Sequence, residues 1–280
     1  MGRLFNDIRS ALTSAGIECG EARSIGLMLL EWAVGLSASD VLAGGDDELP
    51  ACARRRLCPL VKRLAMGEPI QYVTGTTQFC GLNIGVKPGV LIPRPETEEL
   101  VEAVTGRVGI NILDIGTGSG CIALALKHIC PMATVTAFDI SAEALSIASD
   151  NARRLGLDVR FEQCDILAKQ PDGRLWDTIV SNPPYVCDEE RCEMLPTVSD
   201  YEPHIALFVP DSDPLLFYTA ITRFATRSLT PGGLLAFEAN RRFAFEVEQL
   251  LRRSGFDHTE VRQDIFGNNR FVMGTYGLTT

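Results

Sequence analysis

The chain has 280 residues, 46% of them hydrophobic, and its 36 acidic side chains outnumber the 26 basic ones to give a net charge of −10. This length can fold as one large core or as two domains, and no apolar run approaches membrane-spanning length. The acidic balance argues against a nucleic-acid binder, because such proteins neutralise phosphates with a basic footprint.

Cysteine usage and the N-terminal sequence favour a cytoplasmic location. The nine cysteines are scattered without a C-x-x-C pair, which indicates reduced thiols and argues against a metal site. The first residues, Met1 to Asp7, lack the long apolar segment of a signal peptide. We therefore expect a cytoplasmic protein with no metal and no membrane association.

Residues 1–75 are predicted to form a helical domain. Apolar residues recur there at helical spacing in two stripes, which are Leu4, Phe5, Ile8 and Leu12, then Ile25, Met28, Leu29, Trp32 and Ala33. Residues 76–95 contain several glycines within a weak apolar alternation, which predicts a β-hairpin linker between two domains.

From residue 96 to residue 280 the sequence alternates between strand and helix patterns. Such alternation is typical of an α/β domain with helices packed on both faces of a sheet. We predict a seven-stranded, doubly wound, Rossmann-like sheet that is mainly parallel, with an antiparallel edge strand and a hairpin at the end of the chain.

A glycine-rich loop follows the first strand of this second domain. Its residues are Gly116, Thr117, Gly118, Ser119 and Gly120. Glycines let the backbone pass close under a ligand, and the spacing is neither that of the phosphate-binding loop nor that of the dinucleotide fingerprint. The loop resembles the D-x-G-x-G-x-G loop of methyltransferases that use S-adenosylmethionine, where it holds the amino-acid half of the cofactor. An ordinary turn of an α/β protein is the alternative interpretation.

The next two strand patterns are each followed by a carboxylate. Asp139 ends the strand at 134–138, about 20 residues after the glycine loop, where a carboxylate that accepts both ribose hydroxyls is expected. A helix N-cap is the alternative role for Asp139, although Ser141 fills that role as well or better. Asp165 follows the third strand and is placed to meet the adenine amino group, with Ile166 as an apolar wall for the ring.

A fourth strand leads into Asn182-Pro183-Pro184-Tyr185. Methyl transfer to a planar amide or exocyclic amine nitrogen is difficult, because the nitrogen lone pair is delocalised into the neighbouring π system. The side-chain oxygen of Asn182 and the carbonyl of Pro183 can each accept a hydrogen bond from a substrate NH2 and so aim the lone pair at a methyl donor. The prolines stiffen the turn, and Tyr185 offers a ring for the flat substrate group. A simple strand-ending turn is the alternative.

These strand ends are expected to meet in one crevice, because open parallel sheets bind ligands at the carboxyl ends of their strands. From about residue 40 onward the chain also resembles the protein-(glutamine-N5) methyltransferases that modify peptide chain release factors, of the HemK/PrmC type. The resemblance rests on the glycine loop, on the Asn182 turn and on segments at 67–73, 79–82, 90–98 and 201–207.

The resemblance implies that a methyl group passes from S-adenosylmethionine to the glutamine of the Gly-Gly-Gln loop in class 1 release factors, with S-adenosylhomocysteine as product. It implies that Asn182, Pro183 and Tyr185 are catalytic and that, together with Pro184, they bind the substrate. The cofactor-binding residues that it implies are Gly116, Thr117, Gly118, Ser119, Gly120, Asp139, Asp165, Ile166 and Asn182. The helical domain would recognise the release factor, and we expect a monomer that forms no stable complex with nucleic acid.

The chain departs from the family pattern at Ile166, where some members carry tryptophan, at 211–215, and at 237–240, where Phe-Glu-Ala-Asn replaces Glu-Ile-Gly. Two other functions are consistent with parts of the sequence. A nucleic-acid amino-methyltransferase, acting on rRNA guanine N2 or DNA adenine N6, uses a similar turn but needs a basic groove. A non-catalytic scaffold would have no need of Asn182 or Asp139.

Overall fold

The computed structural model describes residues 2–277, in two compact units. A helical unit comprises the chain up to Thr76 together with Leu195–Tyr201, and a sheet unit comprises Thr77–Met194 and the chain from Glu202 onward. The sequence-based division did not place residues 195–201 with the N-terminal unit. Met1 and residues 278–280, which belong to the predicted ranges 1–75 and 96–280, lie outside the described residues.

Helices open the chain, and strands alternate with helices after them. The helices are α1 Arg3–Ser14, α2 Cys19–Val34, α3 Ala38–Leu42, α4 Ala51–Ala65, α5 Ile70–Thr74, α6 Pro95–Thr105, α7 Cys121–Ile129, α8 Ala142–Leu155, α9 Pro196–Ser199, α10 Leu216–Ala225 and α11 Ala244–Arg253. The strands are β1 Thr76–Phe79, β2 Leu82–Gly85, β3 Asn111–Ile115, β4 Thr134–Asp139, β5 Val159–Gln163, β6 Trp176–Ser181, β7 Val186–Cys187, β8 Phe208–Val209, β9 Leu229–Glu238, β10 Phe256–Gln263 and β11 Asn269–Tyr276. Within residues 2–277, no helix is both long and apolar enough to cross a bilayer.

Helix α1 supplies one side of the core of the helical unit. Phe5, Ile8 and Leu12 are buried, as their helical spacing predicts. The first turn of α1 leaves backbone N–H groups without intrahelical partners. Asp46 and Asp47 provide acceptors for them, because their carboxylates bond the N–H of Phe5 at 2.8 Å and that of Arg3 at 2.6 Å.

Helix α2 packs into the helical unit through a face that includes only part of the predicted stripe. A Cβ on Gly26 would lie only 3.1 Å from the ring of Phe5, so glycine at this position lets α1 and α2 approach closely. Leu29 is buried on the same face, whereas Met28 and Trp32 are 46% and 49% exposed. The predicted helix is present, and its apolar repeat includes two residues, Met28 and Trp32, that the core leaves half exposed.

The sheet unit contains a seven-stranded sheet in the order β10-β11-β9-β6-β3-β4-β5. Strands β9, β6, β3, β4 and β5 are parallel to one another, and β11 runs antiparallel to both β9 and β10. The predicted α/β class and closing hairpin are confirmed. The predicted edge position of the antiparallel strand is wrong, because the hairpin joins β9 through β11 and leaves β10 at the edge. The hairpin predicted after residue 75 is present as β1–β2.

The strand order turns at β3, which has β4 on one side and β6 on the other. Such a switch point leaves a crevice beyond the carboxyl ends of the strands. Register pairs Ile115 of β3 with Phe138 of β4 and with Ser181 of β6, so the loops after these strands start side by side. A Cβ on Gly116 would lie 3.9 Å from the carbonyl oxygen of Asn182. The fold therefore brings the glycine loop and the Asn182 turn together.

Candidate active site

A cavity opens at the carboxyl ends of the central strands. Most of the predicted site residues lie in its wall, and these are Gly116, Gly118, Asp139, Asp165, Ile166, Asn182, Pro183 and Pro184. The predicted residues that do not line this cavity are Thr117, Ser119, Gly120 and Tyr185. Segments that are far apart in sequence are thus joined at the one place where the strand order predicts a crevice.

Three loop residues outside the cavity wall hold the glycine loop in shape. Thr117 is buried, and its hydroxyl donates to Asp114 at 2.6 Å. The carbonyl of Ser119 accepts from the side chain of Asn151 at 2.9 Å. Gly120 has a φ of +85°, and a Cβ there would lie 3.0 Å from a side chain of α8. Contact of these three residues with a cofactor stays a prediction, and their role in this structure is to shape the loop.

Asp114 is a fully buried carboxyl group at the end of β3. Its Oδ2 accepts from Thr117 and, at 3.2 Å, from the backbone N–H of Ala123. Its Oδ1 has no hydrogen-bond partner among residues 2–277. Burial raises the pKa of Asp114 to about 7, because removal from water penalises the charged form more than these two donors favour it.

The raised pKa of Asp114 predicts a loss of stability with rising pH. The folded state binds the Asp114 proton more tightly than the unfolded chain, whose aspartates titrate near about pH 3.9. The contribution of this proton to the free energy of unfolding is therefore largest below about pH 3.9 and is lost as the pH rises through about 7. Between about pH 5 and about pH 8 the free energy of unfolding should fall by about 2 kcal/mol more in the wild type than in Asp114→Asn.

Urea unfolding followed by tryptophan fluorescence measures this difference, because Trp176 is buried in the sheet unit while Trp32 of the helical unit is half exposed. If the free energy of unfolding changes equally with pH in the wild type and in Asp114→Asn, Asp114 is already ionised in the folded protein across this range.

Asp139 ties the glycine loop to the start of α8. Its Oδ2 accepts from the backbone N–H of Gly118 at 2.8 Å, and its Oδ1 accepts from that of Ser141 at 2.9 Å. Ser141 is the N-cap of α8 and bonds the N–H of Ala144, so the capping role considered for Asp139 belongs to Ser141. Burial raises the pKa of Asp139. Each of its oxygens keeps a second lone pair that can accept from a ligand hydroxyl.

The part of the wall around Asp165 is mainly apolar. Ile166 and Phe217 line it together with Ile140 and Leu167. Asp165 Oδ1 accepts from the backbone N–H of Leu167 at 2.9 Å, which fixes the carboxylate at the cavity. Apolar walls beside one acceptor suit a flat ring that carries an amino group. Phe217 supplies an aromatic surface there even though position 166 is not tryptophan.

Sequence reasoning missed part of the cavity wall. The missed residues include Gly89, Val90, Leu91, Ile140, Cys164, Leu167, Ile205, Ala206, Phe217 and Ile221. Ile140, Cys164 and Leu167 adjoin predicted residues, so a one-residue extension of each predicted segment would have found them. Phe217 and Ile221 lie four residues apart on α10, where no motif marks them.

The side chain of Asn182 is held through its amide nitrogen. Its Nδ2 donates to the hydroxyl of Thr97 on α6 at 3.1 Å. Within residues 2–277, neither Asn182 Oδ1 nor the carbonyl oxygen of Pro183 accepts a hydrogen bond. Both residues line the cavity. Two acceptors on a stiff turn are therefore available to a substrate NH2.

Tyr185 lies outside the cavity wall, and its contact with a substrate stays a prediction. Its hydroxyl donates to Oε1 of Glu238 at 3.1 Å, and its ring packs against the core of the sheet unit. Burial raises the pKa of Tyr185, so the hydroxyl keeps its proton. Buried carboxylates require hydrogen-bond donors, which explains why Glu238 draws this hydroxyl inward. Asn240, one of the departures from the family pattern, donates to the carbonyl of Tyr185 at 3.1 Å and so braces the turn.

Two segments that the family resemblance rests on are bonded to each other. Glu202, with a side chain only 1% exposed, accepts from the backbone N–H of Ile92 at 3.0 Å and from the guanidinium of Arg94 at 2.6 Å. Leu91 and Ile205 from the same two segments line the cavity. A charge-assisted pair with a buried carboxylate thus fixes one side of the site.

Comparisons with known proteins agree with this geometry. Residues 3–75 match the PrmC N-terminal domain, and residues 95–196 match the methyltransferase small domain. A release factor glutamine methyltransferase of Bacteroides thetaiotaomicron is 43% identical over 255 residues, which cover 90% of this chain and 92% of that protein. The chain belongs to the release factor glutamine methyltransferase family. A second member, from Deinococcus radiodurans, is 36% identical over 96% of both chains.

Solved structures match the fold of this family member. A methyltransferase from Pyrococcus furiosus superposes with a TM-score of 0.54 at 19% identity, over 80% of this chain and 99% of that one. A T. thermophilus 16S rRNA methyltransferase, solved with AdoMet and guanosine, gives a TM-score of 0.53 at 18% identity over 72% of this chain and 49% of that one. The Rossmann-like methyltransferase fold and the family predicted from the sequence are confirmed.

Proposed function

We propose that this chain transfers the methyl group of S-adenosylmethionine to the side-chain amide nitrogen, N5, of the glutamine in the Gly-Gly-Gln loop of class 1 peptide chain release factors. The second product is S-adenosylhomocysteine. The observation that carries the proposal is the Asn182 turn, whose two unbonded oxygens lie in the wall of one cavity with Gly118 and Asp139. Family membership supplies the class of substrate.

The residues of the cavity fit S-adenosylmethionine. Asp139 offers carboxylate oxygens to ribose hydroxyls, and Gly116 and Gly118 place bare backbone beside it. Asp165 offers an acceptor for an adenine amino group, next to the apolar wall that includes Ile166. Bound there, S-adenosylmethionine supplies an electrophilic methyl group on a sulfonium sulfur.

Asn182 and Pro183 orient the nucleophile. Their oxygens accept the two N–H groups of the glutamine amide, which turns the nitrogen lone pair toward the methyl group. The bond from nitrogen to methyl forms as the sulfur–methyl bond breaks, and the extra proton on nitrogen leaves to solvent. No strong base need act first, because the proton becomes acidic once the nitrogen is alkylated. Orientation of this kind can supply roughly 7 to 11 kcal/mol.

The enzyme is proposed to act as a cytoplasmic monomer whose helical unit recognises the release factor. The net charge of −10 supports a protein substrate and disfavours the alternative, an exocyclic-amine methyltransferase acting on nucleic acid, because phosphate contacts require clustered basic residues. The matching rRNA methyltransferase shares the fold but, at 18% identity, does not support that alternative.

Salt dependence separates the two classes of substrate. A protein loop is bound by shape and local contacts, so the KM for a release factor should change no more than a few-fold between about 50 and about 200 mM salt. A nucleic acid with even six neutralised phosphates would lose roughly a thousandfold in affinity over the same range. Initial rates with labelled S-adenosylmethionine and purified release factor measure the difference.

The same label applied to a cell lysate provides an independent test. Incorporation should survive nuclease treatment and disappear after protease treatment. The Asn182→Ala protein, added in place of the wild type, provides the background without transfer. Label that resists protease and is lost with nuclease would overturn the proposed substrate and would favour the nucleic-acid alternative.

A further inference from the structure

Asn182 is one end of a chain of hydrogen bonds in the sheet unit. Asn182 Nδ2 donates to Thr97 Oγ1 at 3.1 Å, and Thr97 Oγ1 donates to Glu238 Oε2 at 2.6 Å. Tyr185 donates to the other oxygen of Glu238 at 3.1 Å. Thr97 and Glu238 are 2% and 1% exposed. The bond between Thr97 and Glu238 is therefore shielded from water, whereas the bonds of Asn182 and Tyr185 are partly buried.

The direction of these hydrogen bonds decides which atom of Asn182 is left for a substrate. A threonine hydroxyl has one proton, and an ionised carboxylate can only accept. Because Thr97 gives its proton to Glu238, its oxygen can only accept from Asn182, and the amide must present Nδ2 to it. Oδ1 is then the amide atom that is available to a substrate in the cavity. A reversed amide would present N–H groups to the substrate NH2, and two donors cannot bond each other.

We propose that Thr97 and Glu238 are positioning residues that hold the Asn182 amide with its oxygen toward the substrate nitrogen. This inference rests on the proposed function, since it concerns the acceptor used in methyl transfer. Neither residue is proposed to touch the reacting atoms. Their contribution is to remove the alternative amide rotamer, so that the acceptor geometry exists before the substrate binds.

Charged and polar groups on the neighbouring elements surround Glu238. Arg270 on β11 favours the ionised form through its charge, whereas Glu96 on α6 opposes it. Tyr218 on α10 donates to the backbone carbonyl of Glu238 at 3.3 Å. Burial is the strongest influence and raises the pKa of Glu238. A protonated Glu238 could donate to Thr97, which would turn the threonine proton toward Asn182 and favour the reversed amide.

Replacing Thr97 tests directly the hydrogen-bond relay that runs from Glu238 through Thr97 to Asn182. Thr97→Val keeps the shape of the side chain but removes the hydroxyl, and it should lower kcat by about tenfold while the Kd for S-adenosylmethionine stays unchanged. Thr97→Ser restores the hydroxyl and should restore most of kcat. Glu238→Gln, which can donate to Thr97, should also lower kcat by about tenfold. The matched control is Thr105→Val, because Thr105 lies on the same helix and, among residues 2–277, its hydroxyl bonds only the carbonyl of Val101.

The pH profile of kcat gives a readout that a merely structural role would not move. In the wild type, kcat at saturating substrates should fall on the acid side as Glu238 becomes protonated, and this acid limb should disappear in Thr97→Val. Wild-type kcat in Thr97→Val, or a Thr97→Ser enzyme as slow as Thr97→Val, would overturn the relay.

NMR of the Asn182 side-chain NH2 tests the relay without turnover. Its hydrogen exchange should be slow in the wild type and in Thr97→Ser, and fast in Thr97→Val. Equal exchange in the wild type and Thr97→Val would overturn the relay whatever the activity. Absence of methyl transfer to release factor by the wild type would instead refute the proposed function, and the NMR comparison would still decide the relay.

Discussion

Asn182→Ala is expected to lower kcat for release factor methylation by about 100-fold or more, on the scale of losing one preorganised polar group from an active site. The substitution removes Oδ1, which is free to accept a substrate N–H, and leaves the cofactor end of the cavity in place. Binding of S-adenosylmethionine should therefore change much less than kcat. Single-turnover rates and calorimetric titration with the cofactor measure the two quantities separately.

Asn83→Ala is the matched control for this substitution, because Asn83 is an exposed residue of β2 in the same unit and lies outside the cavity wall. It should retain the wild-type kcat. Near-normal turnover by Asn182→Ala would mean that another group orients the substrate nitrogen.

Asp139→Ala is expected to weaken S-adenosylmethionine binding at least tenfold. Hydrogen bonds to a charged group contribute roughly 1.5 to 3 kcal/mol each, and two ribose hydroxyls would lose their acceptor. The same carboxylate accepts from Gly118, so its removal also frees the glycine loop. Asp158→Ala, a change at an exposed aspartate outside the cavity wall, should leave the affinity unchanged.

The pH dependence of cofactor binding adds a second test of Asp139. Burial raises its pKa, so the carboxylate takes up a proton at a higher pH than an ordinary aspartate does. Wild-type affinity should therefore fall as the pH is lowered toward that pKa, and Asp139→Ala should lack this dependence. Calorimetric titration that gives equal Kd values for the wild type and Asp139→Ala at neutral pH would place the ribose elsewhere.

The sequence predicted the parts of the site that are adjacent to strand ends. Gly116, Asp139, Asp165 and Asn182 each lie at the end of a strand or within two residues after it, and parallel strands bring their carboxyl ends to one edge. Local patterns therefore contained enough information to place these residues in one cavity. Ser141 was likewise recognisable as a cap because capping is decided within one turn of helix.

The residues that support the cavity-lining side chains from behind could not be predicted in the same way. Thr97 lies 85 residues from Asn182 and 141 residues from Glu238, so no spacing in the sequence indicates that their side chains meet. In the sequence, Thr97 is part of the segment at 90–98 that carries the family resemblance. Residue 238 is part of the departure from the family pattern at 237–240. Neither position indicates a contact between the two side chains. The hydrogen bond from Tyr185 to the buried carboxylate of Glu238 is likewise visible only in three dimensions.

The helical unit illustrates the same limit for packing. Helical periodicity identified α2, but an apolar stripe that extends around a helix does not specify which residues face the core. Gly26 lies on the face toward α1, where its missing side chain makes room for the ring of Phe5, while Met28 and Trp32 are half exposed.

Fragmentation mass spectrometry of a class 1 release factor, after incubation with the enzyme and S-adenosylmethionine, tests the central claim most directly. One added methyl group is predicted on the side-chain nitrogen of the Gly-Gly-Gln glutamine, with the wild-type enzyme and Asn83→Ala but not with Asn182→Ala. An unmodified glutamine after incubation with wild-type enzyme that binds the cofactor, or a methyl group on a different residue, would contradict the account.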